Sequence, residues 1–101
     1  MHARLSTLDL DPSRIDEAVA NLEERDLPMI REQAGFKGFT LLVDRSSGKI
    51  VGTSYWETKE DMDAAEEAGN QARQHAAETG GASSPPQVER YEVALDTFVA
   101  G

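Results

Sequence analysis

Three side chains on one predicted helix, Asn70, Arg73 and His75, are polar groups that could do chemistry at a cavity mouth, although their spacing does not force them to converge. A guanidinium can hold an anion, an imidazole can take or give a proton near neutral pH, and a carboxamide can orient either. All three lie within about a turn and a half of helix. Beside them runs an inward stripe of mostly short side chains: Met62, Ala65, Ala68, Gly69, Ala72 and Ala76. Such a stripe lets the helix settle close on a sheet, or it leaves a cavity that a flat apolar ligand can fill. Trp56, Tyr55 and Tyr91, on predicted strands, are the aromatic groups expected to wall that cavity. The candidate catalytic set is therefore His75, Asn70 and Arg73. The candidate ligand-binding set is Trp56, Tyr55, Met62, Ala65, Gly69, Ala72 and Tyr91.

Other chemistries find little support. The chain has no cysteine, which removes disulfides, thiolate nucleophiles and Cys-ligated metals. His2 stands at the extreme N-terminus, and neither histidine has a partner at metal-ligand spacing, so no metal site is expected. The serines at 46, 47, 83 and 84 lie in turn-like segments with no His or Asp brought to them. Gly35-Phe36-Lys37-Gly38 opens a strand and lacks the length of a phosphate-binding loop. The acidic pairs Glu23-Glu24 and Glu66-Glu67 read as solvated helix faces.

The elements that must position these groups follow from periodicity. His2 to Leu10 alternates as a strand, with Ala3, Leu5 and Thr7 on one side and Arg4, Ser6 and Leu8 on the other. Asp11-Pro12 opens a helix, Asp as N-cap and Pro where its missing N–H is harmless. Ile15, Ala18, Val19 and Leu22 recur at helical spacing, and Pro28 is expected to break or kink the run near Asp26–Leu27. A short helical piece from Met29 to Gln33 ends at Gly35. Residues 36–44 and 50–57 form a hairpin around a turn at 44–49. Thr58 and Asp61 make a capping pair for a helix running from about Lys59 to Glu78 and stopping at Gly80-Gly81. A Gly/Ser/Pro loop leads to a last strand from Val88 to Leu95.

This is βαββαβ order, an α+β ferredoxin-like fold with a four-stranded antiparallel sheet and both helices on one face. A single domain over residues 1–101 is expected, with a core at 2–95 and a tail at 96–101. The hairpin carries apolar residues on both faces: Phe39, Leu41, Ile50 and Trp56 on one, Leu42, Val51 and Tyr55 on the other. Two helices cover one face only. A homodimer closing over the other face is the expected solution.

A formal net charge of −9 argues against a nucleic-acid groove or an anionic membrane as partner. No signal-peptide pattern and no apolar run of membrane length is visible, so the chain is expected to be soluble and cytoplasmic.

The run Gly35-Phe36-Lys37-Gly38-Phe39, the 44–49 turn, and Tyr55-Trp56-Glu57-Thr58 before an acidic helix start together resemble the antibiotic-biosynthesis monooxygenase superfamily. The resemblance in element order covers about residues 2–95. It implies a dimeric α/β-barrel in which each subunit holds a pocket between helices and sheet. Members include cofactor-free oxygenases of polycyclic phenols, quinol oxygenases and haem-degrading enzymes. The haem-degrading pattern places an Asn on the first strand, a Trp on the second helix and an iron-ligating His beyond it. His75 matches the last, Ala65 stands at the Trp position, and residues 2–8 hold no Asn. The resemblance thus implies a monooxygenase for a small aromatic or quinol substrate, with no cofactor expected and haem binding left open. A non-catalytic module for haem or another flat apolar ligand, and a purely structural dimer, are the alternatives.

Overall fold

The computed structural model describes residues 1–98. Strand β1 (His2–Asp9) is followed by a 3-10 turn (Pro12–Arg14), helix α1 (Ile15–Asn21), a π-helical turn (Leu22–Asp26) and helix α2 (Leu27–Arg31). Strands β2 (Phe36–Asp44) and β3 (Lys49–Trp56) form the hairpin. Helices α3 (Lys59–Ala64) and α4 (Glu66–Gly80) and strand β4 (Gln87–Glu92) complete the described fold. The sheet order is β2-β3-β1-β4, with every neighbouring pair antiparallel. This is the ferredoxin-like arrangement expected from the sequence.

Local chemistry explains the boundaries. Asp11 accepts a hydrogen bond from the Ser13 N–H, and Thr58 accepts one from the Asp61 N–H, capping the two helical runs. The first run changes to a π turn ahead of Pro28, which enters at the start of α2 where its missing N–H costs nothing. The β2–β3 turn needs Gly48 at φ +84°, and a Cβ there would meet the Leu10 carbonyl oxygen. Two expectations need correction. The helix predicted over 59–78 is two segments, α3 and α4, interrupted at Ala65. The last strand ends at Glu92, not Leu95, because its partner β1 begins at His2, opposite Glu92.

The core divides into two clusters between helices and sheet. Leu8, Leu10, Ala18, Ile50 and Ala76 form one, and Ile30, Trp56, Met62, Ala65 and Ala72 the other. Small residues lie where they meet: Ser6, Gly52 and Gly69. Among the described residues, no helix lies over the opposite sheet face, and Leu42 is 63 % exposed there. Among the described residues, no helix is long and apolar enough to cross a membrane. Of the tail's two apolar residues Phe98 and Val99, which are out of place in free solvent, Val99 lies outside the described residues.

Candidate functional site

The gap between the two core clusters is a cavity. Its floor is the helix-side face of the sheet: Arg4, Ser6 and Leu8 of β1, Phe39 and Leu41 of β2, and Ile50, Gly52, Ser54 and Trp56 of β3. Its roof comes from Ala65, Gly69, Ala72, Arg73 and Ala76, closed at one side by Leu22 and Ile30. The cavity's free volume is about 60 Å³. At roughly 10–15 Å³ per water this is room for about four to six waters, close to the space of one benzene ring.

Trp56 is the main aromatic wall. It is 1 % exposed, donates from Nε1 to Ser54 Oγ at 2.9 Å, and meets Phe36 edge-on with centroids 5.6 Å apart. The hydrogen bond satisfies the indole N–H that burial would otherwise orphan. Ala65, Gly69 and Ala72 line the cavity as their spacing predicts. Met62 is buried beside Trp56 in the same cluster but behind the wall.

Arg73 lies at the polar end of the cavity, and three groups absent from the sequence-derived set join it there. Arg4, 3 % exposed, reaches Glu66 Oε2 at 2.8 Å and also donates to the Met62 carbonyl. Arg73 reaches Glu66 Oε1 at 3.0 Å, and Arg90 of β4 reaches the same oxygen at 2.7 Å. Arg73 also donates to Ser6 Oγ at 3.4 Å. Burial pushes the Glu66 carboxyl up, but the three guanidiniums together outweigh it and hold it below its ordinary value. Burial works on Arg4 in the opposite sense, lowering it, and Glu66 only partly compensates. Glu66 is therefore not the solvated group its Glu-Glu context suggested. Arg4 carried a readable signal: it shares strand parity with Leu8, so it had to point inward, where a guanidinium needs a partner.

The remaining predicted residues lie elsewhere. His75 is on α4 but off the cavity wall, and its Nδ1–H donates to Asp26 Oδ1 at 2.8 Å. Asp26 is itself buried, at the end of the π turn. Its spacing of four from both Leu22 and Ile30 placed it on the inward stripe. Asn70 is exposed. Tyr55 faces the uncovered side of the sheet, as a neighbour of Trp56 must, and meets Phe98 at 5.1 Å. Tyr91, opposite Ala3, is on that side too and is 52 % exposed, its hydroxyl donating to Glu89. Among the described residues, no group of three or more His, Asp or Glu could hold a metal ion.

The profile of the family described as antibiotic biosynthesis monooxygenase matches residues 1–77. An uncharacterized protein of Mycobacterium tuberculosis is 36 % identical over 94 residues, covering 93 % of this chain. The chain spans only 41 % of that relative's length. Among solved structures, a Streptomyces coelicolor monooxygenase in complex with nanaomycin D is similar at TM-score 0.78 and 17 % identity, over 98 % of this chain and 92 % of that one. A haem-degrader of Mycobacterium tuberculosis with two haems bound in its active site is similar at TM-score 0.72 and 20 % identity, over 97 % and 100 %. At these identities the structural likeness concerns the fold.

Proposed function

The chain belongs to the antibiotic biosynthesis monooxygenase family, and from that premise we propose that it is a monooxygenase for a small aromatic or quinol substrate, working without metal or flavin. The observation that carries this reading is the cavity itself: an apolar slot of one-ring size, walled by Trp56 and edged by guanidinium and hydroxyl groups. An electron-rich phenol seated there would have its ring against Trp56 and its oxygen toward Arg73, Ser6 or Ser54. The positive charge favours the phenolate, the form that gives up electrons to dioxygen. For a ring-activated CH2 the reaction balances as CH2 + O2 → C=O + H2O. Carbon supplies all four electrons, so no outside reductant enters. Arg73 is the residue we assign to the anion, with His75 and Asn70 outside the immediate contact.

Haem is the alternative raised by the likeness to the haem-degrader. The cavity residues do not fit it: the space matches about one ring, and His75 stands off the cavity wall. We assign no step to haem.

We also propose that a second copy of the chain covers the open sheet face. Leu42, Leu95 and Phe98 remain exposed in the single chain, and a twofold partner would bury such residues most simply.

The test is oxygen uptake with a panel of quinols and hydroxylated aromatics, with chelator present and no flavin added. Uptake that falls in Arg73→Met supports the oxygenase. Saturable binding with no uptake across the panel overturns it in favour of a binding module, and a Soret band on titration with haemin would identify haem as that module's ligand.

A further inference from the structure

The polar end of the cavity holds more positive charge than its one carboxylate can neutralise. Among the described residues, Arg4, Arg73 and Arg90 converge on Glu66 alone, three cations against one anion, in a chain whose formal charge is −9. The nearby Asp63 is taken by Lys59 at 2.7 Å. Arg4 is almost wholly buried, and its Nε has no hydrogen-bond partner among the described residues. A guanidinium held out of water with donors unused is costly unless something else pairs with it. Gly69 makes room for the guanidiniums themselves at the cavity edge: a Cβ there would lie 2.7 Å from Arg4 Nη1 and 3.3 Å from Arg73 Nη1.

We propose that the cavity selects an aromatic ligand bearing a carboxylate, its ring against Trp56 and its carboxylate on Arg4 and Arg73. A planar carboxylate matches the guanidinium fork, and its single negative charge can be added while the cluster stays net positive. This rests on reading the cavity as a ligand site, but not on any turnover within it.

The experiment compares benzoate with its neutral isostere benzamide, which differ in charge but hardly in shape. Trp56 is the chain's single tryptophan, so quenching of its emission reports occupancy directly. At neutral pH benzoate is expected to bind about tenfold or more tighter than benzamide, the discrimination a charge-assisted hydrogen bond supplies. Arg73→Met should remove that preference. Glu66→Gln, which frees both arginines of their competitor, should tighten benzoate and leave benzamide unchanged, and it keeps the proposal testable if Arg73→Met fails to fold. Equal affinity for the two probes, no binding of either, or an unchanged preference in both variants would overturn it. Benzoate preference in a protein that consumes no oxygen would uphold the carboxylate site and defeat the oxygenase reading separately.

Discussion

Arg4 of β1 and Glu66 at the start of α4 meet at 2.8 Å, and the same carboxylate also binds Arg73 and Arg90. This one contact fastens the helix layer to the sheet beside the cavity. Because Glu66 titrates below its ordinary value, the sign of its pH dependence is fixed. Its stabilisation is fully present above the unfolded value of 4.5 and is lost as pH falls through the lower folded value. The gap in Tm between wild type and Glu66→Gln should be widest above the ordinary value of 4.5 and close as pH falls through the lower folded value. A gap that stays constant across that range would show that Glu66 titrates no differently folded than unfolded.

Gly69→Ala separates helix propensity from space. In an unobstructed helix the change gains about 1 kcal/mol. Here the added methyl would press on Arg4 and Arg73, and neither buried guanidinium can swing into solvent. We expect the variant to melt lower than wild type. A higher Tm would mean the arginines yield easily.

Trp56→Ala should cost about 3–5 kcal/mol, the usual range for removing a buried large aromatic, and Trp56→Phe distinctly less. Urea titrations give both values. Wild-type emission should be blue-shifted, as befits an indole 1 % exposed, and a red-shifted native spectrum would contradict that burial.

His75→Ala leaves the buried Asp26 side chain without the one side-chain hydrogen-bond partner it has among the described residues. A loss of about 1–3 kcal/mol is expected. The Asp26→Asn, His75→Ala double variant should lose less than the two single losses added. Additive losses would show that the pair is not coupled.

Leu42→Asp tests the proposed pairing of copies. Sedimentation of wild type should give twice the chain mass of 11.0 kDa, and the variant should sediment as a single chain. A wild type that is monomeric at micromolar concentration would remove the dimer from the account.

The sequence carried the element order and the orientation of the cavity floor, because both depend on local signals. Phe39, Leu41, Ile50 and Trp56 share strand parity, and Thr58 and Asp11 declare the helix starts. The Arg4–Glu66–Arg73–Arg90 cluster was beyond such reading as a whole. Its members come from β1, α4 and β4. Glu66 lies four after Met62 and three before Gly69, at the edge of the inward stripe, which sets it apart from solvated Glu67. That spacing names none of its partners on β1 and β4. One of its parts was nonetheless visible in principle: Arg4 had to face inward with Leu8, and outside the cluster Asp26, the partner of His75, likewise fell on the stripe of Leu22 and Ile30. A charged residue on an apolar face announces a buried partner even when it cannot name one.

The concentration of positive charge inside a strongly acidic molecule also has a kinetic side. A ligand anion approaching from a distance meets the repulsion of the whole surface, and it gains the arginines only at close range. Salt shortens the reach of the first effect, to about 8 Å at physiological strength, while scarcely weakening contacts out of water. Arrival of a carboxylate should therefore quicken as salt is added, the reverse of what a basic binding groove shows, while its departure changes little.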